Sequence, residues 1–529
     1  MQTIYYNGDI VTMKCEEDTV EAVLTQDGSI LAVGTMDEIS GQAKEGVKRI
    51  DLQGRTMLPA FLDPHSHITM LAQNLMKADL TEAESFEDIV RILCDFRKKN
   101  NLVHGEYIQG FGYDQNRLKE RTHPTKDILN RVSTDNPIFI FHVSCHMGVA
   151  NSLALMQAGM DENTELPKEL VGRLEGSQEL SGYVAETGMM KIYMQLFKIP
   201  LDMKRLLKEA QDIYIKNGIC TIQDGAAAKE QFDMLCQLAK GGLFQADIVA
   251  YLTEAEGLDE ILLQYDNYSG KYCNNVKLGG RKLVLDGSPQ GKTAWLSKPY
   301  TDGTNGNAWM QEADVTRFIK DAIDNGMQVL AHCNGDAASQ QFLDSYKAAF
   351  DASENPGKRE LRPVMIHSQT VRRDQLKEFD AFGMMPSFFV EHVYYWGDVH
   401  LQNLGRERAD NISPTGWANE LGLTYTFHQD TPVLPPDMMH TIQTAVERRS
   451  LMGEVLGEKH KISVYQALKA VTVNAAYQYH EETTKGSIEK GKNADFVILS
   501  ANPLKTETEH ISEIQIEATI CRDKVLYHR

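Results

Sequence analysis

Residues 58–67, LPAFLDPHSH, end an apolar run in two histidines one residue apart. On a β-strand side chains alternate faces, so His65 and His67 point the same way with both imidazoles in reach of one small cation. Read alone, the pair is equally the polar end of a buried strand, and further ligands must come from elsewhere in the chain. Candidates recur along later apolar runs: His332 in MQVLAHC, His367 in RPVMIHS and Asp430 in LTYTFHQD, while Lys282 opens RKLVLDG and leads into Asp286 and Gly287. Four imidazoles and a carboxylate are donors suited to zinc or a similar divalent ion.

The elements that must position these residues alternate between apolar runs and amphipathic helical stretches, the βαβα pattern of a parallel sheet or barrel. Nine runs read as strands: LPAFLD, PIFIFHV, GICTIQD, ADIVAYL, RKLVLDG, MQVLAHC, RPVMIHS, MMPSFFV and LTYTFHQD. A (β/α)8 barrel needs eight. Roughly 150 residues separate the first run from GICTIQD, far more than one crossover helix requires, so PIFIFHV is the surplus. It falls in an insertion over residues 72–205, expected over the barrel mouth where long βα loops and active sites lie. The polar residues above then sit at successive strand ends, which makes independent bland roles improbable.

Both ends of the chain read differently. Short strand-like runs dominate the first 57 residues, with Asn7-Gly8 and Asp27-Gly28 as hairpin signals. Strands return in GKNADFVILSANP and EATICRDKVLYHR. Residues 1–57 with 485–529 are expected to form one composite β-sandwich, and residues 58–484 the barrel with its insertion. The stretch SVYQALKAVTVNAAYQY, opened by the Ser463/Gln466 capping box, reads as a structural helix.

Lys and Arg number 54 against 74 Asp and Glu, a formal charge of −20 that argues against nucleic acid or anionic membrane as partner. A small-molecule substrate is the better expectation. Eight scattered cysteines without a Cys-x-x-Cys pair suggest neither a zinc ribbon nor a disulfide framework, so a reducing compartment fits. No basic leader and no long apolar run is visible, and a soluble cytoplasmic protein is expected.

The motifs taken together resemble the amidohydrolase superfamily, and within it the amidohydrolase-3 or YtcJ-like group that includes N-substituted formamide deformylases. The resemblance runs collinearly through MLPAFLDPHSH, GFGYDQNRL, HMGVANSLAL, NGICTIQDG, KLVLDGSPQGKTAWLSKPYTD, LAHCNGDAA, VMIHSQTV, FHQDTPV and KGSIEKGKNADFVIL. It implies a (β/α)8 barrel joined to a β-sandwich from both termini. It also implies roles: His65, His67 and Asp430 on a more buried metal, His332 and His367 on a second, and Lys282 bridging them as a carbamate. A lysine ammonium has donors only, so carboxylation of the neutral amine is what turns Lys282 into a ligand. One or two divalent ions per chain, zinc for preference, would lower the pKa of water toward ~7, with Asp430 shuttling the proton to the leaving nitrogen.

Three positions depart from the group's pattern: HQD where a small hydroxyl residue usually precedes the Asp, IHSQ where a Glu often precedes the His, and Ala60 where Gly is usual. Each affects pocket shape rather than a ligand. Substrate contacts are expected among Asp114, His146, Trp295, Tyr300, His392 and His428, whose segments could line the mouth; His428 shares Asp430's face by alternation and is equally a support for a ligand. The function expected is hydrolysis of a non-peptide C–N bond in an N-acyl, N-substituted or cyclic amide. Alternatives are a mononuclear deaminase of an amino-substituted heterocycle and a metal-binding regulatory protein without turnover. The resemblance also allows a homodimer.

Overall fold

The computed structural model describes residues 1–115, 117–142, 147–167, 170–196, 202–253 and 258–529. The chain divides into two compact units, Met1–Leu71 with Leu207–Arg529, and Ala72–Leu206.

The larger unit contains an eight-stranded sheet, every pair parallel. Its strands are β1 (Phe61–Leu62), β2 (Ile219–Ala227), β3 (Asp247–Thr253), β4 (Val276–Val284), β5 (Gln328–Cys333), β6 (Val364–His367), β7 (Met385–Phe388) and β8 (Thr426–Phe427), in that spatial order. Both faces of these strands are buried, and Ile219, Ile222, Val249, Leu252 and Leu330 are among the apolar residues that fill them. Leu62, Val249, Leu330, Val364, Ile366 and Met385, from five strands, share one buried cluster. The sheet is curled, as a (β/α)8 barrel is: residues just past its two edge strands, His67 and Thr431, are joined by a 2.8 Å backbone hydrogen bond.

Several strand expectations need correction. The apolar run at the start of LPAFLD is split: Thr56–Pro59 pairs antiparallel with Phe496–Leu499, and only Phe61–Leu62 joins β2. RKLVLDG is the end of a strand rather than its whole, since β4 begins at Val276 and Lys282 stands third from its end. A bulge at Gly279 lets β4 pass Tyr251 of β3, whose ring atoms lie 2.7 Å from where a Cβ would be. Of LTYTFHQD only Thr426–Phe427 is strand, so His428 and Asp430 stand on the loop beyond β8.

The two termini interleave in a second connected sheet, ordered Lys524–His528, Ile516–Cys521, Phe496–Leu499, Thr56–Pro59, Gln2–Val11, Thr19–Gln26, Ser29–Gly34. Tyr5, Val23 and Met57 from one end and Phe496, Ile498 and Ile520 from the other share a core. Asp27 and Gly28, at φ 51° and 87°, turn the expected hairpin. Asn7-Gly8 does not: Asn7, at φ 60°, lies within Gln2–Val11 where the register shifts. The Ser463 capping box is present, but its helix stops at Ala470 and resumes at Val473–Gln478.

A disulfide joins Cys220 of β2 to Cys521 of the terminal sheet, with Cα atoms 6.1 Å apart. This corrects the expectation of unpaired cysteines. The pairing spans 301 residues and arises from packing between the sheets, which no local spacing encodes. At the N-terminal ends of the barrel strands Lys485 pairs with Asp247 (2.7 Å) and Glu481 (2.6 Å), while Glu481 also pairs with Lys277 and Asp247 with Arg522 (2.8 Å).

In the second unit, Ile138–His142, the core of PIFIFHV, lies inside a six-stranded sheet, between Ile108–Tyr113 and Met147–Ala150. The helix Phe86–Lys99, N-capped by Ser85, packs Ile89 and Leu93 into its core. Among the described residues no helix is long and apolar enough to cross a membrane.

Candidate metal centre

His65 and His67 share a direction for a reason other than strand alternation. Both lie beyond the end of β1, in the loop before the helix Ile68–Asn74, and their rings meet edge to face at 5.0 Å. His65 Nδ1 donates to Gln223 Oε1 (2.6 Å), and the amide cannot turn over because its Nε2 donates to Pro64 O and the Tyr479 hydroxyl. That leaves His65 Nε2 facing inward. A Cβ on Gly225 would sit 2.5 Å from His65 Cε1, so glycine is what lets the imidazole lie against β2.

From beyond β8, Asp430 brings Oδ1 to 3.2 Å from His67 Nε2 and 3.5 Å from His65 Nε2. This buried oxygen nevertheless meets hydrogen-bonding geometry with neither. Three ligand atoms therefore converge on a common point, mutually within 4.8 Å, rather than on one another. Burial would raise the Asp430 carboxyl, but His67, His428 and Lys282 outweigh it and hold it below its usual range. Asp430 and His367 both take left-handed backbone, φ 56° and 71°, a conformation that non-glycine residues adopt at a cost and that clusters at functional sites.

On the other side of the pocket, His332 Nδ1 and His367 Nε2 face each other at 3.0 Å. His332 Nε2 lies 3.1 Å from the Gly287 carbonyl and 3.0 Å from Asn334 Nδ2; in the tautomer that donates to the carbonyl, an obligatory acceptor, Nδ1 keeps its lone pair. Asp286 braces this loop, accepting the backbone N–H groups of Asn334, Gly335 and Trp295. Between the two halves stands Lys282, 2% exposed, with Nζ 3.1 Å from His65 Nε2. Burial lowers it to about 8. The same burial brings His332 to about 4 and pushes His65 and His367 well below the usual range, so the imidazoles are neutral and offer lone pairs.

The structure thus brings His65, His67, Lys282, His332, His367 and Asp430 together. Most of the expected substrate contacts are elsewhere. Tyr300 is core, packed with Val393 and Leu404, its hydroxyl donating to Ala294 O. His392 is buried among Phe389, Trp396 and His400. Trp295 contributes a backbone N–H to Asp286, its indole half-buried. Asp114 lies in the second unit, 3.7 Å from His142 Nε2. His146 falls outside the described residues. His428 does reach the centre, fully buried, with Nε2 3.2 Å from His367 Nδ1.

Two residues went unread in the sequence. Gln223 is a polar residue in an otherwise buried strand, and that interruption was the available signal. Trp309 is 61% exposed, with its indole nearly parallel to the His332 ring (14°) at 6.5 Å between centroids. Its signal was a lone aromatic in the polar loop TDGTNGNAWMQ.

The amidohydrolase family profile matches residues 48–527. Over the whole length of both chains the sequence is 25% identical to the protein named Putative amidohydrolase YtcJ from Bacillus subtilis (strain 168). It is 22% identical to an N-substituted formamide deformylase from Arthrobacter pascens, covering 99% of this chain and 98% of that one. Among solved structures, an uncharacterized metal-dependent hydrolase from Pyrococcus furiosus superposes with a TM-score of 0.78 at 26% identity, covering 96% of this chain and all of the other.

Proposed function

The chain belongs to the amidohydrolase family, and from that premise we propose that it is a metal-dependent hydrolase of a non-peptide C–N bond, in an N-acyl, N-substituted or cyclic amide. The observation that carries this reading is the convergence of His65 Nε2, His67 Nε2 and the hydrogen-bond-orphaned Asp430 Oδ1. Neutral imidazoles and a carboxylate are the donor chemistry of zinc and similar divalent ions, so the residues fit such a group. His65, His67 and Asp430 would hold one ion, His332 and His367 a second. Bound there, a divalent ion supplies Lewis acidity that activates water and polarises a carbonyl at neutral pH.

The side chains do the rest. Asp430, kept ionised by its neighbours, accepts the proton of the attacking water and delivers it to the departing nitrogen. Lys282, near 8, is partly neutral at physiological pH, and its amine can add to carbon dioxide, forming an N–C bond and releasing a proton, to become an anionic oxygen donor. The deformylase relative acts on N-substituted formamides by its name, which makes N-formyl and N-acyl amines the first compounds to screen.

The test is metal per chain by elemental analysis on protein purified with bicarbonate and without added metal, alongside turnover of an N-formyl, N-acyl and cyclic amide panel. Bound divalent metal with amide hydrolysis supports the reading. Metal-free protein, or metal-loaded protein that releases ammonia from amino-heterocycles and leaves every amide intact, overturns it.

A further inference from the structure

His367 can serve the centre only if its ring proton sits on the nitrogen that faces away from it. Resting on the metal-site reading above, we infer that His428 is a positioning residue: it accepts the Nδ1–H of His367 and passes the hydrogen bond on to Ser387, locking His367 in the tautomer whose Nε2 lone pair faces His332.

His367 Nδ1 lies 3.2 Å from His428 Nε2, and His428 Nδ1 lies 2.9 Å from Ser387 Oγ. A neutral imidazole has one donor and one acceptor nitrogen. If Nε2 of His367 offers its lone pair, Nδ1 carries the proton and donates to His428 Nε2, so His428 Nδ1 carries a proton in turn and donates to Ser387 Oγ. That direction follows from committing the His367 Nε2 lone pair to the centre; the Ser387 hydroxyl, able to accept or donate, then takes the His428 proton. His332 is fixed at its own far nitrogen by the Gly287 carbonyl, and His65 by Gln223. His428 completes the pattern for the third imidazole of known orientation.

The placement is rigid. His428 and Ser387 are both fully buried, and the His428 ring is wedged among His65, His367 and Phe389 at centroid distances of 5.2, 5.1 and 5.3 Å. Ser387 stands on β7 opposite Thr426 of β8, and His428, just beyond β8, donates its backbone N–H to Phe388 O of β7, so β7 and the end of β8 hold both partners. The usual partners of a ligating histidine are a carboxylate, a carbonyl or water. An uncharged imidazole draws less electron density onto His367 than a carboxylate would. In the assignment above a carboxylate, Asp430, joins only the His65/His67 pair, so the His332/His367 side would hold a divalent ion the more weakly.

The inference is tested by titrating cobalt(II) into metal-free protein against a competing chelator and following the visible absorption of the bound ion. The proteins compared are wild type, His428→Leu, His428→Gln and Ser387→Ala, each with its melting temperature recorded. The His428→Leu change is expected to weaken the weaker cobalt site by about 10- to 100-fold and to alter its absorption band, leaving the tighter site as in wild type. His428→Gln, whose amide can accept and donate at once, restores most of the loss; a space-filling role alone would not separate the two variants in this way. Ser387→Ala shows a smaller loss in the same direction. Equal cobalt affinity in wild type and His428→Leu, or His428→Gln no better than His428→Leu, overturns the inference; should His428→Leu fail to fold, unchanged affinity in Ser387→Ala overturns it. Wild-type protein that binds no cobalt overturns the metal-site reading itself, and this inference with it.

Discussion

Nζ of Lys282 lies 3.1 Å from Nε2 of His65, with both groups closed off from solvent. As an ammonium, Lys282 would occupy the His65 lone pair and ligate nothing; as a carboxylated amine it would join the ligand set. Protein kept in bicarbonate is expected to show, by intact mass under non-acidic conditions, one added carboxyl group. Lys282→Met should lack it and hold no more than one ion per chain.

Asp430→Asn keeps an oxygen for the metal but cannot carry a proton. Turnover should fall by about 10²- to 10⁴-fold, with metal content on elemental analysis unchanged. Activity within a few-fold of wild type would remove Asp430 from the proton path.

Trp309 presents an open indole beside His332. Removing it with Ala should raise KM for substrates bearing a planar group by roughly 3- to 10-fold, the worth of one aromatic contact, while kcat stays near wild type. An unchanged KM across planar and aliphatic substrates would show that the ring touches neither.

Glu481 sits 7% exposed between two lysines. Burial raises its carboxyl, but Lys485 and Lys277 outweigh burial and hold it at about 2, below its ordinary 4.5. A lowered carboxylate pKa gives stability that is complete above the unfolded value and lost as pH falls through the folded one. Denaturant midpoints should therefore decline between pH 4.5 and 2. Glu481→Gln should cost about 3–5 kcal/mol at neutral pH by leaving the buried Lys277 ammonium without its carboxylate, Lys485 keeping Asp247, and should flatten that decline.

Cys220→Ser should be destabilised by about 2–4 kcal/mol relative to oxidised wild type, because the crosslink closes a very long loop. Reductant should lower the melting temperature of wild type toward that of the variant. Identical melting with and without reductant would mean that the thiols are unpaired in solution.

The sequence disclosed the side chains that meet in the candidate centre because chemistry restricts which residues can bind a cation, and those residues sat at or near the ends of apolar runs whose burial made them legible. It disclosed less of how they are aimed. Strand alternation was the stated reason for pairing His65 with His67, yet a loop does that work, and Asp430 owes its direction to a left-handed backbone that no pattern of apolar residues encodes. Tyr300 and His392 looked like mouth residues by position, but Tyr300 is drawn into the core by aliphatic side chains distant in sequence, Val393 and Leu404 among them, and His392 by Phe389, Trp396 and His400 close to it in the chain. The disulfide and the Gln223 contact share that cause, since both join residues brought together only by tertiary packing.

The split of one apolar run between two sheets sets an order of events during synthesis. Thr56–Pro59 is seated by Phe496–Leu499, a partner made more than four hundred residues later, and the first two ligands follow a few residues after that seat. Loops of such length close slowly and late. On the ribosome, then, His65 and His67 emerge early with only the Gln2–Val11 side of that seat made, and Asp430 follows while the closing strand is still unmade. By the metal-site reading an ion would be loaded only once that strand is in place, so the metal available to the completed protein, rather than to the nascent one, would decide what the centre contains.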